Sequence, residues 1–395
     1  MINQSDPLVQ AAYQQMQQLH DAAALASQNS DIQRSADFLR QALEFAESVN
    51  DQRYIYYYRA FLAFTVNQLG RLKESLTVLS PILQQTPSHE NADVFCAALF
   101  SYIDVALDLP VQLSTISKVL SQAEQFIQDV GKPEWRAKYL FKLSGLYLAQ
   151  GLVKEAYSAA QESWAVYKEG YPQYLPGVHL HHLVTCSLAN REPDQAERAL
   201  EIYENHQTIE KMNHHDKMVA LEVACRKSEL ARLRKDTTLA VDWARKAVLA
   251  VSFTDDAEDI QIAYRIGIRA ELAAGHIERA WKLWLKLVPF RYAEEGYIRY
   301  NIRLLWGDLH LGTARHLAAM SPTDDEFFTD ESIPKEVSDQ LAIDQSLSRA
   351  RRAYGAAFKM GAWLDQKYEC SWRQQDVNNR LLRVEAIDQA MHSPA

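Results

Sequence analysis

The stretch Leu143–Ala160, LSGLYLAQGLVKEAYSAA, decides the fold. Gly151 sits near its centre as a turn residue, Ala156 follows five positions on, Ala160 four after that, and Ser163 three later still. On both sides of the glycine, apolar and small residues recur every three or four positions, the period of an amphipathic helix. Two helices therefore meet across a tight turn. The same pattern returns elsewhere: Gly70 leads to Ser75, Leu79 and Ile82, with Pro87 beyond, and Gly275 leads to Ala280, Trp284 and Leu287, with Pro289 beyond. Arg191 (Ala196, Leu200, Tyr203) and Lys235 (Ala240, Ala244, Ala247) open copies without a turn glycine, and an earlier copy centres on Ala36 with Arg40 and Leu43.

The small residues that open each second helix fall at 36, 75, 156, 196, 240 and 280, in steps of 39, 81, 40, 44 and 40. The step of 81 is two periods, and its missing member is expected on the stripe Ser117, Leu120, Ala123 and Ile127, closed by Gly131 and Pro133. A fixed period between about 20 and 50 residues marks stacked supersecondary units, here antiparallel helix pairs that cannot bury their faces alone. A small residue at the start of the second helix lets it approach the first closely, and bulkier residues a turn later fill the space between pairs.

Leu143–Tyr147 with Gly151, Ala156 and Ala160, together with the Gly70 to Pro87 copy, resembles the tetratricopeptide repeat over roughly residues 10 to 316. The spacing is longer than that family's usual period of about 34 residues, which places the likeness with the long-repeat bacterial regulators; a HEAT-like helical repeat is the alternative. The resemblance implies an all-α, right-handed solenoid of about seven to eight helix pairs, whose first helices line a concave groove that binds peptides or proteins. Three segments follow: an array over 1–320, an acidic insert over 321–334, and a C-terminal helix pair or cap over 335–395 with the small-residue face Ala350, Ala353, Ala357 and Gly361.

Thirteen glycines and twelve prolines in 395 residues suit helices joined by short loops. The N-terminus MINQSDPLVQ lacks the basic stretch and apolar core of a signal peptide, and no 18 apolar residues run together, so a cytoplasmic protein is expected. Cys96, Cys186, Cys225 and Cys370 lie far apart in helical segments and read as buried thiols. A net charge of −9 disfavours non-specific nucleic-acid binding, and the basic runs Arg232–Lys235 and Arg351–Arg352 read as solvated helix faces.

No dinucleotide fingerprint, GxxxxGK or GxSxG motif is present. The histidines are the candidates for metal chemistry: His179, His181 and His182 lie together, and His214 and His215 precede Asp216, as His-Asp pairs do in helical metal phosphohydrolases. His-Asp pairs also arise by chance, as in His20–Asp21, and neither group has a specific ligand spacing; no metal, no cofactor and no catalysis are expected. Trp281, Trp284 and the tyrosines of Tyr54–Tyr58 read as packing residues.

Counting back ten and six residues from each turn reaches two positions per first helix that would face the groove. These are Ala60 and Phe64, Phe141 and Gly145, His181 and Thr185, Cys225 and Glu229, and Arg265 and Arg269, with Arg303 on the following helix. The groove would be aromatic toward the N-terminus and cationic at Arg265, Arg269 and Arg303, suiting a protein or peptide partner with acidic or carboxylate-bearing groups. The plainer alternative pairs these arginines with Glu271, Glu258 or Asp259. The insert Ser321–Pro334, SPTDDEFFTDESIP, carries Phe327 and Phe328 as possible anchors for docking on this groove or on a partner. A helical metal phosphohydrolase and a nucleic-acid-binding helical repeat are the competing functional classes.

Overall fold

A computed structural model describes residues 7–29, 31–84, 92–109, 111–170, 177–207, 214–254, 257–293, 296–318 and 340–392. Among these residues the chain forms seventeen α-helices, three short 3-10 turns and no strand. The insert with Phe327 and Phe328 lies outside the described residues.

The turns expected from sequence are built on left-handed backbone. Gly70, Gly151 and Gly275 have φ of 71°, 78° and 74°, and the two non-glycine copies conform, with Arg191 at 58° and Lys235 at 66°. At each, the chain closes a Schellman motif: Gly151 N–H bonds Leu148 O at 3.0 Å and Leu152 N–H bonds Tyr147 O at 2.9 Å, while Arg191 and Glu192 bond Leu188 O and Ser187 O at 3.1 and 2.9 Å. Asn50 (54°) and Glu369 (53°) make the same turn at helix ends where no small residue stands five positions on, so the sequence pattern passes over them.

The close approach within a pair is also explicit. Ser144 Oγ donates to Ala156 O (2.7 Å) and Ser228 Oγ to Ala240 O (2.8 Å); in the earlier pair the roles invert and Ser75 Oγ donates to Ala63 O (2.8 Å). Each contact joins residues twelve apart, seven before the turn residue and five after it. A hydroxyl reaches a neighbouring helix backbone only where no larger side chain separates the two.

The chain divides into two compact units. The first comprises Met1–Cys186, Asn205–Lys217 and Ser252–Glu258. Its main helices are α1 (Pro7–Gln28), α2 (Ile32–Ser48), α3 (Gln52–Gln68), α4 (Leu72–Leu79), α5 (Ala92–Asp108), α6 (Leu113–Val130), α7 (Pro133–Gln150) and α8 (Val153–Gly170), and most of α9 (Gly177–Ala189) belongs to it. Met16, Leu39, Ala42, Tyr58 and Leu62 form one core of α1, α2 and α3, and beyond it α3 packs on α5 and α5 on α7. Two register details differ from the sequence reading. On α6 the buried stripe begins at Leu113 and Ile116, and Ser117 is exposed; on α2 Arg40 lies off the buried stripe and pairs with Asp37 and Glu74.

The second unit comprises Ser187–Glu204, Met218–Val251 and Asp259–Ala395. It holds most of α10 (Pro193–Gln207), α11 (His214–Leu233) and α13 (Ala257–Ala273), with α12 (Thr237–Ala250), α14 (Ile277–Leu287), α15 (Gly296–Leu317), α16 (Gln340–Lys367) and α17 (Trp372–His392). Leu221, Ala244, Ala263 and Ile266 knit α11, α12 and α13 together, and Ile268, Leu272, Trp284 and Ile302 continue the core through α14 and α15. Ala350, Ala353 and Ala357 are buried on α16, as the small-residue face requires. At Gly307 a Cβ would come within 2.2 Å of the Tyr354 ring, so α15 and α16 touch there only because the side chain is missing.

Glu369 is exposed and holds left-handed backbone without glycine, so Glu369→Gly should stabilise the protein by up to about 1 kcal/mol, whereas Gly151→Ala should cost about 1 kcal/mol. Gly307→Ala, which forces overpacking against Tyr354, should cost about 1–3 kcal/mol. Denaturant midpoints with unchanged m-values would check all three.

Candidate functional site

α13 is packed on two sides: Ala263, Ile266 and Ala270 face the core with α11 and α12, and Ile268 and Leu272 face the core with α14 and α15. Arg265 and Arg269, four residues apart, occupy the strip left between these faces, one turn above the other. Arg265 Nη1 donates to Gln261 Oε1 (2.9 Å) and its guanidinium lies 5.9 Å from the Tyr297 ring centre. Glu271 does not pair with either arginine; it is buried and takes Arg245 Nε at 3.0 Å and His276 Nδ1 at 2.6 Å.

Arg269 opens into a cavity of about 440 Å³. Arg232 from α11 and Arg380 from α17 also line it, with Tyr300, Trp372 and Asn379 among the remaining walls. Burial first, then the charges of Arg265 and Arg232, pull the Arg269 pKa down from 12.5 to about 10, against the opposing pull of Glu229. Glu229 is itself bonded to Arg226 at 2.8 Å, which together with Arg269 holds its carboxyl below the usual range despite burial. Arg303 lies apart from the cavity walls; burial and its neighbour Arg299 lower its pKa.

The back of the cavity is a buried polar network that ties α15, α16 and α17. Asp308, 1% exposed, accepts from Tyr354 OH at 2.7 Å and from Arg380 Nη1 at the same oxygen. Arg380 Nε also reaches Asp376 at 3.3 Å, and Tyr300 OH donates to Asp376 at 3.3 Å. Desolvation raises the Asp308 pKa in spite of Arg380. Asp365 caps the start of α17, accepting Gln374 N–H at 2.9 Å and Arg373 Nη1 at 3.2 Å.

The remaining expected groove positions scatter. Phe64 is 57% exposed on α3. Phe141 is half-buried, its ring centre 5.7 Å from His179 and 4.5 Å from His182; His181 is half-buried on α9. Ala60 is buried, and so is Cys225, which sits in the core with Ala240 and Ala244 because α11 presents that face to α12. The basic run at 232–235 is not uniformly solvated, since Arg232 lines the cavity while Arg234 pairs with Glu197 and Asp194. Sequence reasoning missed Arg232, Trp372, Asn379 and Arg380, whose signal is only the arginine spacing 373 and 380 on α17.

Two of the three histidines of α9 bond serines. His179 Nδ1 bonds Ser163 Oγ at 2.8 Å under the stacked Tyr167 ring, and His182 Nε2 bonds Ser144 Oγ at 3.0 Å. Among the described residues no three His, Cys, Asp or Glu side chains converge as a metal site. His214 and His215 begin α11, and nothing is described of their side chains. Trp284 stacks on Trp306, Trp281 Nε1 donates to Thr313 Oγ1 at 3.0 Å, and Tyr56 and Tyr58 are buried, so these aromatics pack the helices; Tyr54 is 38% exposed. The four cysteines are free thiols; Cys96, Cys186 and Cys225 are buried and Cys370 is half-buried. Among the described residues no helix is long and apolar enough to cross a membrane.

No protein-family model matches the chain, and no curated protein does. The crystal structure of a tetratricopeptide repeat protein from Parabacteroides merdae is similar at 13% identity and a TM-score of 0.43, over 74% of this chain and 99% of that one. The helices themselves define the class: among the described residues, an all-helical protein of consecutive helices, with an arginine-lined cavity in its second unit.

His179 gives the first unit a pH signature. Burial, then Lys138 and Lys142, push its pKa down from 6.5 to about 4, so the unfolded chain binds more protons between those values. Stability should be full above pH 6.5 and fall by about 3 kcal/mol as pH drops to about 4. His310, lowered to about 4 by burial with Arg349 and Arg352, adds a second drop in the same window. Melting curves across this range should flatten in part for His179→Gln and further when His310→Gln is added.

Proposed function

We propose that this chain is a non-catalytic interaction protein, a right-handed solenoid of about seven to eight helix pairs resembling the tetratricopeptide repeat, that captures an acidic or carboxylate-bearing segment of a protein or peptide partner. The observation that supports this most directly is the pair Arg265 and Arg269, held one turn apart on α13 by the packing of its two other faces. Glu271, the nearby acidic residue in sequence, is committed to Arg245 and His276 instead. Two guanidiniums at that spacing grip adjacent carboxylates, and one charge-assisted contact contributes about 1.5–3 kcal/mol. Phe64, Phe141 and His181 are proposed as contact positions within the first unit, and Arg303 within the second.

The test is binding of acidic peptides to the full chain. Arg265→Gln should weaken capture roughly tenfold or more while shifting the melting temperature little, because among the described residues the hydrogen bond it removes is the single one to Gln261. Unchanged capture by Arg265→Gln and by Arg303→Gln would remove this surface from the proposal.

A further inference from the structure

We propose that the cavity between Arg232, Arg269 and Arg380 is a binding site for a small organic phosphate, taking a dianionic phosphate monoester against the guanidiniums and its organic part against Trp372, Tyr300 and Leu304. This goes beyond capture of a protein partner and stands without it.

The charge of the walls points to a dianion. Three arginines and one carboxylate line the cavity, a formal charge of +2. That carboxylate, Asp376, already receives Arg380 Nε and Tyr300 OH, and Arg380 is further fixed by buried Asp308. Arg232 and Arg269 face the same cavity from different helices, α11 and α13. Burial first, and then the charges of Arg265 and Arg232, lower the Arg269 pKa, and an anion between the guanidiniums would relieve the repulsive part. Guanidiniums present paired N–H donors that match phosphate oxygens, and a phosphate monoester carries close to two negative charges at neutral pH.

The size points to an organic ester rather than the bare ion. At about 440 Å³ the cavity exceeds a water's share of about 30 Å³ many times over and falls in the range of about 300–1,000 Å³ typical of ligand pockets. Asn301, Gln375 and Asn379 add neutral amide groups beside the apolar wall. Trp372 is held in place by Arg373, whose guanidinium sits 4.3 Å from its ring centre while pairing with Asp365.

The experiment is titration of the full chain with phenyl phosphate, inorganic phosphate, benzoate and a phosphoserine peptide, read by calorimetry and by the melting temperature. Phenyl phosphate should saturate below about 1 mM and bind at least about tenfold tighter than benzoate or inorganic phosphate. Arg232→Gln and Arg269→Met should each weaken it by about tenfold or more. Circular dichroism and the melting curve of each variant without ligand separate loss of the site from loss of the fold. Should Arg269→Met unfold, Arg232→Gln decides alone. The proposal is overturned if phenyl phosphate does not bind, if it binds both variants as it binds the parent, if benzoate equals it, or if only the phosphoserine peptide binds.

Discussion

Five helix pairs among the described residues hang on how the first helix ends. One residue takes left-handed backbone, two Schellman hydrogen bonds close behind it, and the second helix starts in the antiparallel direction within a few residues. Where a serine stands seven residues before that turn or five after it, its hydroxyl reaches the carbonyl of the facing helix, which sets the distance within the pair. With the turn and the approach fixed, the bulkier residues one turn on can only point at the next pair. Glycine is the cheapest occupant of the left-handed position, yet Arg191 and Lys235 fill it too, because the surrounding hydrogen bonds outweigh a conformational cost of about 1–2 kcal/mol.

The second unit adds a device of a different kind. The carboxylate of Asp308 is taken out of water and its neighbours Tyr354 and Arg380 come from the two following helices. A buried charge of this sort gains little net stability but is costly to leave unpaired, so it dictates which rotation of α16 and α17 is allowed. Gly307 works with it, since the Tyr354 ring can reach Asp308 only by lying on a helix surface that has no Cβ at that point. The same network aims Arg380 into the cavity and so connects the packing of the last helices to the chemistry of the candidate site.

Arginine accumulation has a physical signature beyond composition. The chain is acidic overall, with a net charge of −9, yet Arg232, Arg265, Arg269, Arg299 and Arg303 gather on α11, α13 and α15. Gathering like charges carries an electrostatic cost, seen at Arg269, whose pKa burial and then Arg265 and Arg232 lower, and at Arg303, lowered by burial and then Arg299.

The sequence by itself determined the helix pairs, because both the 3.6-residue period and the small residue after each turn are local consequences of chain geometry. It also put Arg265 and Arg269 four residues apart on one helix, whereas the two buried faces of α13 that flank them come from the tertiary packing. Its counting rule failed at Ala60, which is buried, and at Cys225, where α11 turns that position toward Ala240 and Ala244, and its stripe on α6 was one residue off, since Ile116 rather than Ser117 is buried. Only the tertiary structure decided that Arg232, Arg269 and Arg380, up to 148 positions apart (380 − 232), share one cavity, and that Arg303 does not. The reason is that a helix repeat specifies its neighbours one pair at a time, whereas the convergence of α11, α13, α15 and α17 depends on the accumulated rotation of every pair between them.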